Sequence, residues 1–272
     1  MTTLERTTEI AALRLESELL ALGRVVVAFS GGVDSSLLAS AALRTLGPES
    51  MLAVTADSDS LAEGELERCR DLATEWEMPW RPVLTEEMAN PKYVANDADR
   101  CYWCKDALMD ATIPVAKEMG ATVTLGVNID DLGEHRPGQK AAQERGARFP
   151  LVDAGFTKAD VRGLAHHWGL PIWDRPAMPC LASRIPYGTS VSVNVLSKID
   201  RAEQALRNLG FNDLRVRHYE ATARIELRSE ELRRAVEIHD EVVAALKSVG
   251  YDYVTLDLEG LRSGNLNSAI GM

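Results

Sequence analysis

A β-branched and apolar run, Arg24-Val25-Val26-Val27-Ala28-Phe29, stops at Ser30-Gly31-Gly32, and a helix-compatible apolar pattern runs from Ser35 to Leu43 directly after it. A strand, a glycine turn and a helix in immediate succession leave the chain few ways to fold. The first N–H groups of the helix and its dipole converge on the turn, so Ser30-Gly31-Gly32-Val33-Asp34-Ser35-Ser36 reads as an anion site suited to phosphate. Gly31 and Gly32 allow a tight turn and close ligand approach, while Ser30, Ser35 and Ser36 add hydroxyl donors. The lysine of a G-x-x-x-x-G-K-[ST] loop is absent, which argues against ordinary γ-phosphoryl handling.

The same strand-then-helix texture continues. Residues 51–55 and 80–84 read as strands around a charged helix over 61–76. A helix over 105–119, despite Pro114, leads into an apolar run at 121–127, and a further helix spans 158–168. Alternation of this kind predicts an α/β fold with an open parallel sheet covered on both faces. Beyond residue 190 the order changes to helix 196–209, hairpin 214–219 and 222–227, helix 230–249 and strand 251–258, which predicts a smaller α+β domain with an antiparallel sheet. Domains at 1–188 and 189–272 follow. The segment 171–188 holds four prolines, so regular structure is not expected there and a functional connector is.

Composition narrows the partners. The 272 residues carry a net charge of −11 with a pI near 5.0, which argues against nucleic acid as the main partner because phosphate contacts need concentrated Lys and Arg. No run reaches the roughly 18 apolar residues of a membrane span. Residues 1–23 read as an amphipathic helix rather than a leader, so the expectation is a soluble, cytoplasmic protein. An acidic chain with a large open α/β surface is also expected to form a homo-oligomer.

Four cysteines, Cys69, Cys101, Cys104 and Cys180, are thiols, metal ligands or nucleophiles in such a setting rather than structural disulfides. Cys101 and Cys104 form a C-x-x-C pair, which is half of a zinc site, a redox pair, or part of an iron–sulfur ligand set. Cys180 lies between Arg175 and Arg184, whose charge would favour its thiolate. Cys69 sits in a charged helix as a bystander. Arg215 and Arg217 alternate on one face of a strand, a pairing suited to a phosphate or carboxylate, although a solvated strand face gives the same pattern.

The loop Ser30–Ser36 resembles the PP-loop of the ATP pyrophosphatases. That resemblance implies ATP with Mg2+, attack on the α-phosphate and release of pyrophosphate from an adenylylated substrate. It also implies a catalytic role for Asp34, adenosine contacts at Thr55 and Ser58, and ATP contacts at Gly126, which ends a later strand where ligands of open sheets gather. Asp131 becomes a candidate Mg2+ ligand, or a cap of the next segment.

Arg100-Cys101-Tyr102-Trp103-Cys104-Lys105, Glu134-His135-Arg136-Pro137-Gly138, the block from Pro179 to Thr189 and the tail from Tyr253 to Gly260 together resemble the LarE family. These are ATP-dependent sulfur transferases of nickel-pincer nucleotide synthesis. The likeness covers nearly the whole chain and is most specific in Pro179–Gly188. It implies a small nucleotide substrate, pyridinium-3,5-biscarboxylate mononucleotide, whose carboxylates become thiocarboxylates. It implies substrate contacts at Trp103, Ser183, Arg184, Glu203, Arg215 and Arg217, and catalysis at Cys180. Two sulfur sources are open: a [4Fe-4S] cluster on Cys101, Cys104 and Cys180 carrying sulfide at its free iron, favoured on the three-cysteine set, or sacrifice of the Cys180 sulfur. The competing enzyme class is an amidating PP-loop synthetase, which gives the cysteines no shared task. tRNA thiolation and a non-catalytic ATP-binding regulator are further readings.

Overall fold

The computed structural model describes residues 3–133, 137–176 and 178–262. Glu134, His135 and Arg136 of the block noted above lie outside them. By internal packing the chain divides into two units. The first comprises Met1–Ser58, Gly64–Glu87 and Cys101–Met178; the second comprises Asp59–Glu63, Met88–Arg100 and Pro179–Met272. Among the described residues no helix is long and apolar enough to cross a membrane.

The first unit is built on four parallel strands, β1 (Val25–Ala28), β2 (Met51–Asp57), β3 (Trp80–Leu84) and β4 (Thr122–Leu125), in the order β3-β2-β1-β4. Arg148 adds a one-residue parallel bridge to Thr124 at the β4 edge. Helices α1 (Thr3–Leu22), α2 (Val33–Leu46), α3 (Glu65–Glu75), α4 (Pro91–Val94), α5 (Arg100–Met119), α6 (Pro137–Glu144), α7 (Pro150–Asp153) and α8 (Lys158–His167) lie along the chain before the proline-rich segment, and of these α4 belongs to the second unit. Alternation along β1 explains why its valines form an unbroken apolar run. Val25 and Val27 enter the core shared with α1, α2, α3 and α8, whereas Val26 enters the core shared with α5 and α6.

The strand order places the site. After β3 the chain returns to the other side of β1 to form β4, so the carboxyl ends of β1 and β4 flank the point where the winding reverses. Ligands of open α/β sheets bind at that crevice.

In the second unit, α9 (Val193–Asn208), α10 (Leu232–Glu237) and α11 (His239–Ser248) pack on β5 (Leu214–Tyr219), β6 (Thr222–Leu227) and β7 (Tyr253–Leu256). The sheet differs from expectation: β5 and β6 are antiparallel, but β7 runs parallel to β6. The connection from β6 to β7 contains α10 and α11, and a helical crossover of that length permits a parallel return. The helix expected over 230–249 is interrupted at Ile238, which leaves helical geometry at φ −105°, ψ 32°. Among the described residues of 171–188 the regular structure is turns at 171–174 and 187–188 and one short 3-10 helix, Leu181–Arg184, in keeping with its prolines.

Candidate functional site

In the first unit the loop after β1 opens at the start of α2. Phe29 N–H still donates to Val54 carbonyl at 2.8 Å, so the strand continues to the edge of the loop. Gly31 then adopts φ +69°, a left-handed conformation that favours glycine, and a Cβ there would lie 3.1 Å from the Cys69 sulfur. Gly32 precedes α2 with no side chain capping it. Among the described residues the N–H groups of Val33, Asp34 and Ser35, ahead of the first intrahelical bond from Ser36 to Gly32, have no side-chain cap from Gly32, the arrangement an anion requires.

The serines build the loop from inside. Ser35 Oγ accepts from Ser30 N–H at 3.1 Å, lies 3.1 Å from Ser30 Oγ, and donates to Gly32 carbonyl at 3.1 Å. Ser36 is fully buried, and its Oγ has no partner among the described residues. Arg175 braces the loop from the proline-rich segment: one nitrogen donates to Gly31 carbonyl at 3.1 Å, and another reaches both oxygens of Glu65 at 2.8 Å. Its charge is committed to Glu65. Cys69, beneath Gly31, is pushed up to about 11 mainly by burial and stays a neutral thiol, as expected of a bystander.

Asp34 is where several elements meet. Its Oδ1 accepts from Asn128 Nδ2 at 2.9 Å, and its Oδ2 is ion-paired with Lys158 Nζ from the first residue of α8. Neither Asn128 nor Lys158 was singled out in the sequence, although the missing loop lysine was a signal to look for a cation on another element. Gly126, at the end of β4, packs against the start of α2: a Cβ there would lie 2.6 Å from Ser35 nitrogen. Asp131 Oδ2 accepts from Asn128 N–H at 3.2 Å and so fixes the turn after β4. Thr55 is buried, donating to Phe29 carbonyl at 2.7 Å and accepting from Trp80 Nε1 at 2.8 Å. Ser58 donates to Glu87, a buried carboxylate.

Cys101, Trp103 and Cys104 lie in the first turns of α5. Gly138 lets α6 approach them, since a Cβ there would meet Cys101 carbonyl at 2.8 Å. Tyr102 OH donates to Glu144 at 2.6 Å, tying the same turn to α6.

In the second unit Cys180 immediately precedes the 3-10 helix that carries Ser183 and Arg184. Two buried carboxylates organise this region. Glu203 accepts from Arg184 Nε at 2.8 Å, from Arg207 at 3.0 Å and from Val216 N–H at 3.1 Å. Glu226 is paired in a fork with Arg217 at 2.9 and 2.8 Å, and Arg217 also donates to Ser183 carbonyl at 2.7 Å. Arg184 donates to the carbonyls of Pro179 at 2.6 Å and Cys180 at 3.2 Å, so it holds the cysteine's backbone rather than its sulfur.

Arg215 differs from its neighbours. Its hydrogen bond is to Arg262 carbonyl at 3.1 Å, and no carboxylate pairs with it among the described residues. Burial, followed by the positive charges of Arg217 and Arg184, pushes its pKa down. An anion held there would relieve both costs. Asn96, absent from the sequence reading, and Arg100, which opens the Arg100–Lys105 block, clamp the loop that follows Cys180. Arg100 donates to Ala182 carbonyl at 2.8 Å, and Asn96 donates to the carbonyls of Pro186 and Thr189, each at 2.8 Å.

Among the described residues no three His, Cys, Asp or Glu side chains are gathered closely enough to hold a metal ion. Cys101 and Cys104 belong to the first unit and Cys180 to the second.

Comparison with known proteins agrees with the loop geometry. A family model described as NAD synthase matches residues 11–92. An uncharacterized protein of Synechocystis sp. is 45% identical over 252 residues, 92% of this chain and 94% of its own. The pyridinium-3,5-bisthiocarboxylic acid mononucleotide synthase of Lactiplantibacillus plantarum is 37% identical over 250 residues, 92% of this chain and 91% of its own. An uncharacterized protein of Methanocaldococcus jannaschii is 28% identical over 241 residues, 88% of this chain and 91% of its own. With identity of this extent running over nearly the full length of a characterised synthase, the chain belongs to the LarE family of PP-loop, ATP-using enzymes.

Proposed function

We propose that the chain converts the carboxylates of pyridinium-3,5-biscarboxylate mononucleotide to thiocarboxylates, activating each with ATP. The observation that carries this reading is the 37% identity to the Lactiplantibacillus plantarum synthase across 92% of the chain. The open start of α2 at the sheet's crevice supports the ATP half of the reaction.

ATP with Mg2+ is what the PP-loop family implies. Mg2+ is commonly held by one or two carboxylates together with substrate phosphates, and Asp34, beside the loop, is the residue suited to hold it. Asp131 is turned toward its own segment's N–H. When bound, the metal neutralises phosphate charge. Ser30, Gly31, Gly32, Val33, Ser35 and Ser36 would hold the phosphate chain, with Thr55, Ser58 and Gly126 shaping the adenosine side. A substrate carboxylate oxygen then attacks the α-phosphorus, the bond to the bridging oxygen breaks, and pyrophosphate leaves with that electron pair. The acyl-adenylate so formed exchanges a poor leaving group for AMP.

In the second unit Arg215 would receive the substrate phosphate, next to the Arg184 and Arg217 pairs, with Ser183 and Glu203 as further substrate residues; Trp103, in the first unit, is a substrate residue on the family resemblance alone. The Cys180 thiolate attacks the acyl carbon and expels AMP. Loss of the cysteine Cα proton with cleavage of its Cβ–S bond then leaves dehydroalanine and releases the thiocarboxylate. The cluster reading rests on the sequence set of Cys101, Cys104 and Cys180, which would hold the cluster and supply sulfide in place of the Cys180 sulfur.

Anaerobic purification with iron and sulfide analysis, followed by mass spectrometry after turnover with ATP, tests the sulfur source. Loss of the mass of hydrogen sulfide from Cys180 is the expected result; an intact Cys180 with bound iron and sulfide assigns the sulfur to a cluster. An amidating synthetase is the competing reading, since the NAD synthase model matches the phosphate-loop half. It predicts an amide rather than a thiocarboxylate when ammonia is supplied. A small nucleotide substrate, cytoplasmic location, a homo-oligomeric state and the division at residue 188 complete the proposal.

A further inference from the structure

The loop after Cys180 carries Pro186 and Gly188 and holds no helix or strand beyond one 3-10 turn, yet residues from much earlier in the chain satisfy its backbone. Leu181 N–H donates to Ser60 carbonyl at 2.9 Å, Gly188 N–H to Asn96 carbonyl at 3.1 Å, and Val191 N–H to Val94 carbonyl at 2.9 Å. All of these residues belong to the second unit.

Asn96 holds the centre of this arrangement. It is fully buried and adopts φ +57°, a left-handed conformation uncommon outside glycine that asparagine tolerates better than most residues. Its Nδ2 donates to the Pro186 and Thr189 carbonyls, and its Oδ1 accepts from Arg100 at 2.6 Å. A guanidinium can only donate, so that bond fixes which way the amide faces. One side chain thus satisfies two loop carbonyls that lie outside any helix or strand, and such buried groups are costly to leave without a donor. A left-handed buried residue of this kind persists only where its surroundings over-determine it, and such positions gather at functional sites. Within the clamped loop, Arg184 then holds Cys180 carbonyl at 3.2 Å, which carries the constraint to the cysteine itself.

We infer that Asn96 is the positioning residue of Cys180. It locks the loop into one conformation and so sets the direction in which the sulfur is offered. This deepens the sulfur-transfer reading and rests on it.

Two variants separate the side chain from the backbone. Asn96→Gly keeps the left-handed turn without the amide, and Asn96→Asp keeps the size but replaces the donor with an acceptor. Both slow thiocarboxylate formation by at least about tenfold through the two lost hydrogen bonds, while ATP affinity by calorimetry and first-turnover pyrophosphate release stay at wild-type values. Iodoacetamide labelling read by mass spectrometry needs no substrate: Cys180 labels severalfold faster in both variants, and the buried Cys69 stays unlabelled, which shows that the chain is folded. Wild-type transfer in Asn96→Gly overturns the inference, because Asn96 would then serve only the left-handed turn. Equal losses of ATP affinity and transfer, or labelling of Cys69, overturn it in favour of a purely structural role. A wild-type chain that forms no thiocarboxylate defeats the sulfur-transfer reading, whereas an unchanged Cys180 labelling rate in both variants defeats the positioning role by itself.

Discussion

Three arginines near Cys180 look alike in the sequence and have different physical situations. Arg184 and Arg217 are each held by a fully buried glutamate, whereas Arg215 is partly buried beside both of them without one. Arg215→Ala is therefore expected to leave stability unchanged or slightly raised, while raising the substrate KM by at least about tenfold through the lost phosphate contact. Glu203→Ala leaves buried guanidinium groups and a strand N–H without their acceptor, and should cost about 3–5 kcal/mol in urea unfolding. His218 supplies a pH test. Burial and the nearby Lys198 lower its pKa below the ordinary 6.5. The unfolded chain then binds the proton more readily, so stability is lost as pH falls below about 6.5. Urea midpoints at pH 7.5 and 5.5 should diverge less in His218→Gln than in the wild type.

Among the elements, the strand–loop–helix unit from β1 to α2 was readable because glycine pairs and β-branched runs act locally. The direction of β7 was not, because it depends on how a two-helix connection packs rather than on any pattern within residues 253–256. The break at Ile238 escaped for a related reason: Leu232, Ala235, Ile238, Val242 and Leu246 keep helical spacing across it. The arginine positions were visible, but their pairing with Glu203 and Glu226 links residues of different elements and leaves no mark in either segment. Gly126 shows the same limit, since its place against the Ser35 backbone is set by the sheet order. Gly126→Ala should push the end of β4 from the start of α2, with a stability loss of about 1–3 kcal/mol and weaker ATP binding, read by thermal unfolding and titration.

At the scale of the whole molecule, the chain carries an ATP-type phosphate loop in one unit and a cysteine beside buried, carboxylate-held arginines in the other. Adenylylation is the step that makes such a pairing chemically useful, because a carboxylate cannot accept sulfur until one of its oxygens has become a leaving group. Supplying substrate labelled with oxygen-18 in its carboxylates, together with ATP, and following the label by mass spectrometry tests that step. The account predicts one labelled oxygen in AMP for each carboxylate activated, with none in pyrophosphate. Thiocarboxylate formed while AMP stays unlabelled would contradict it.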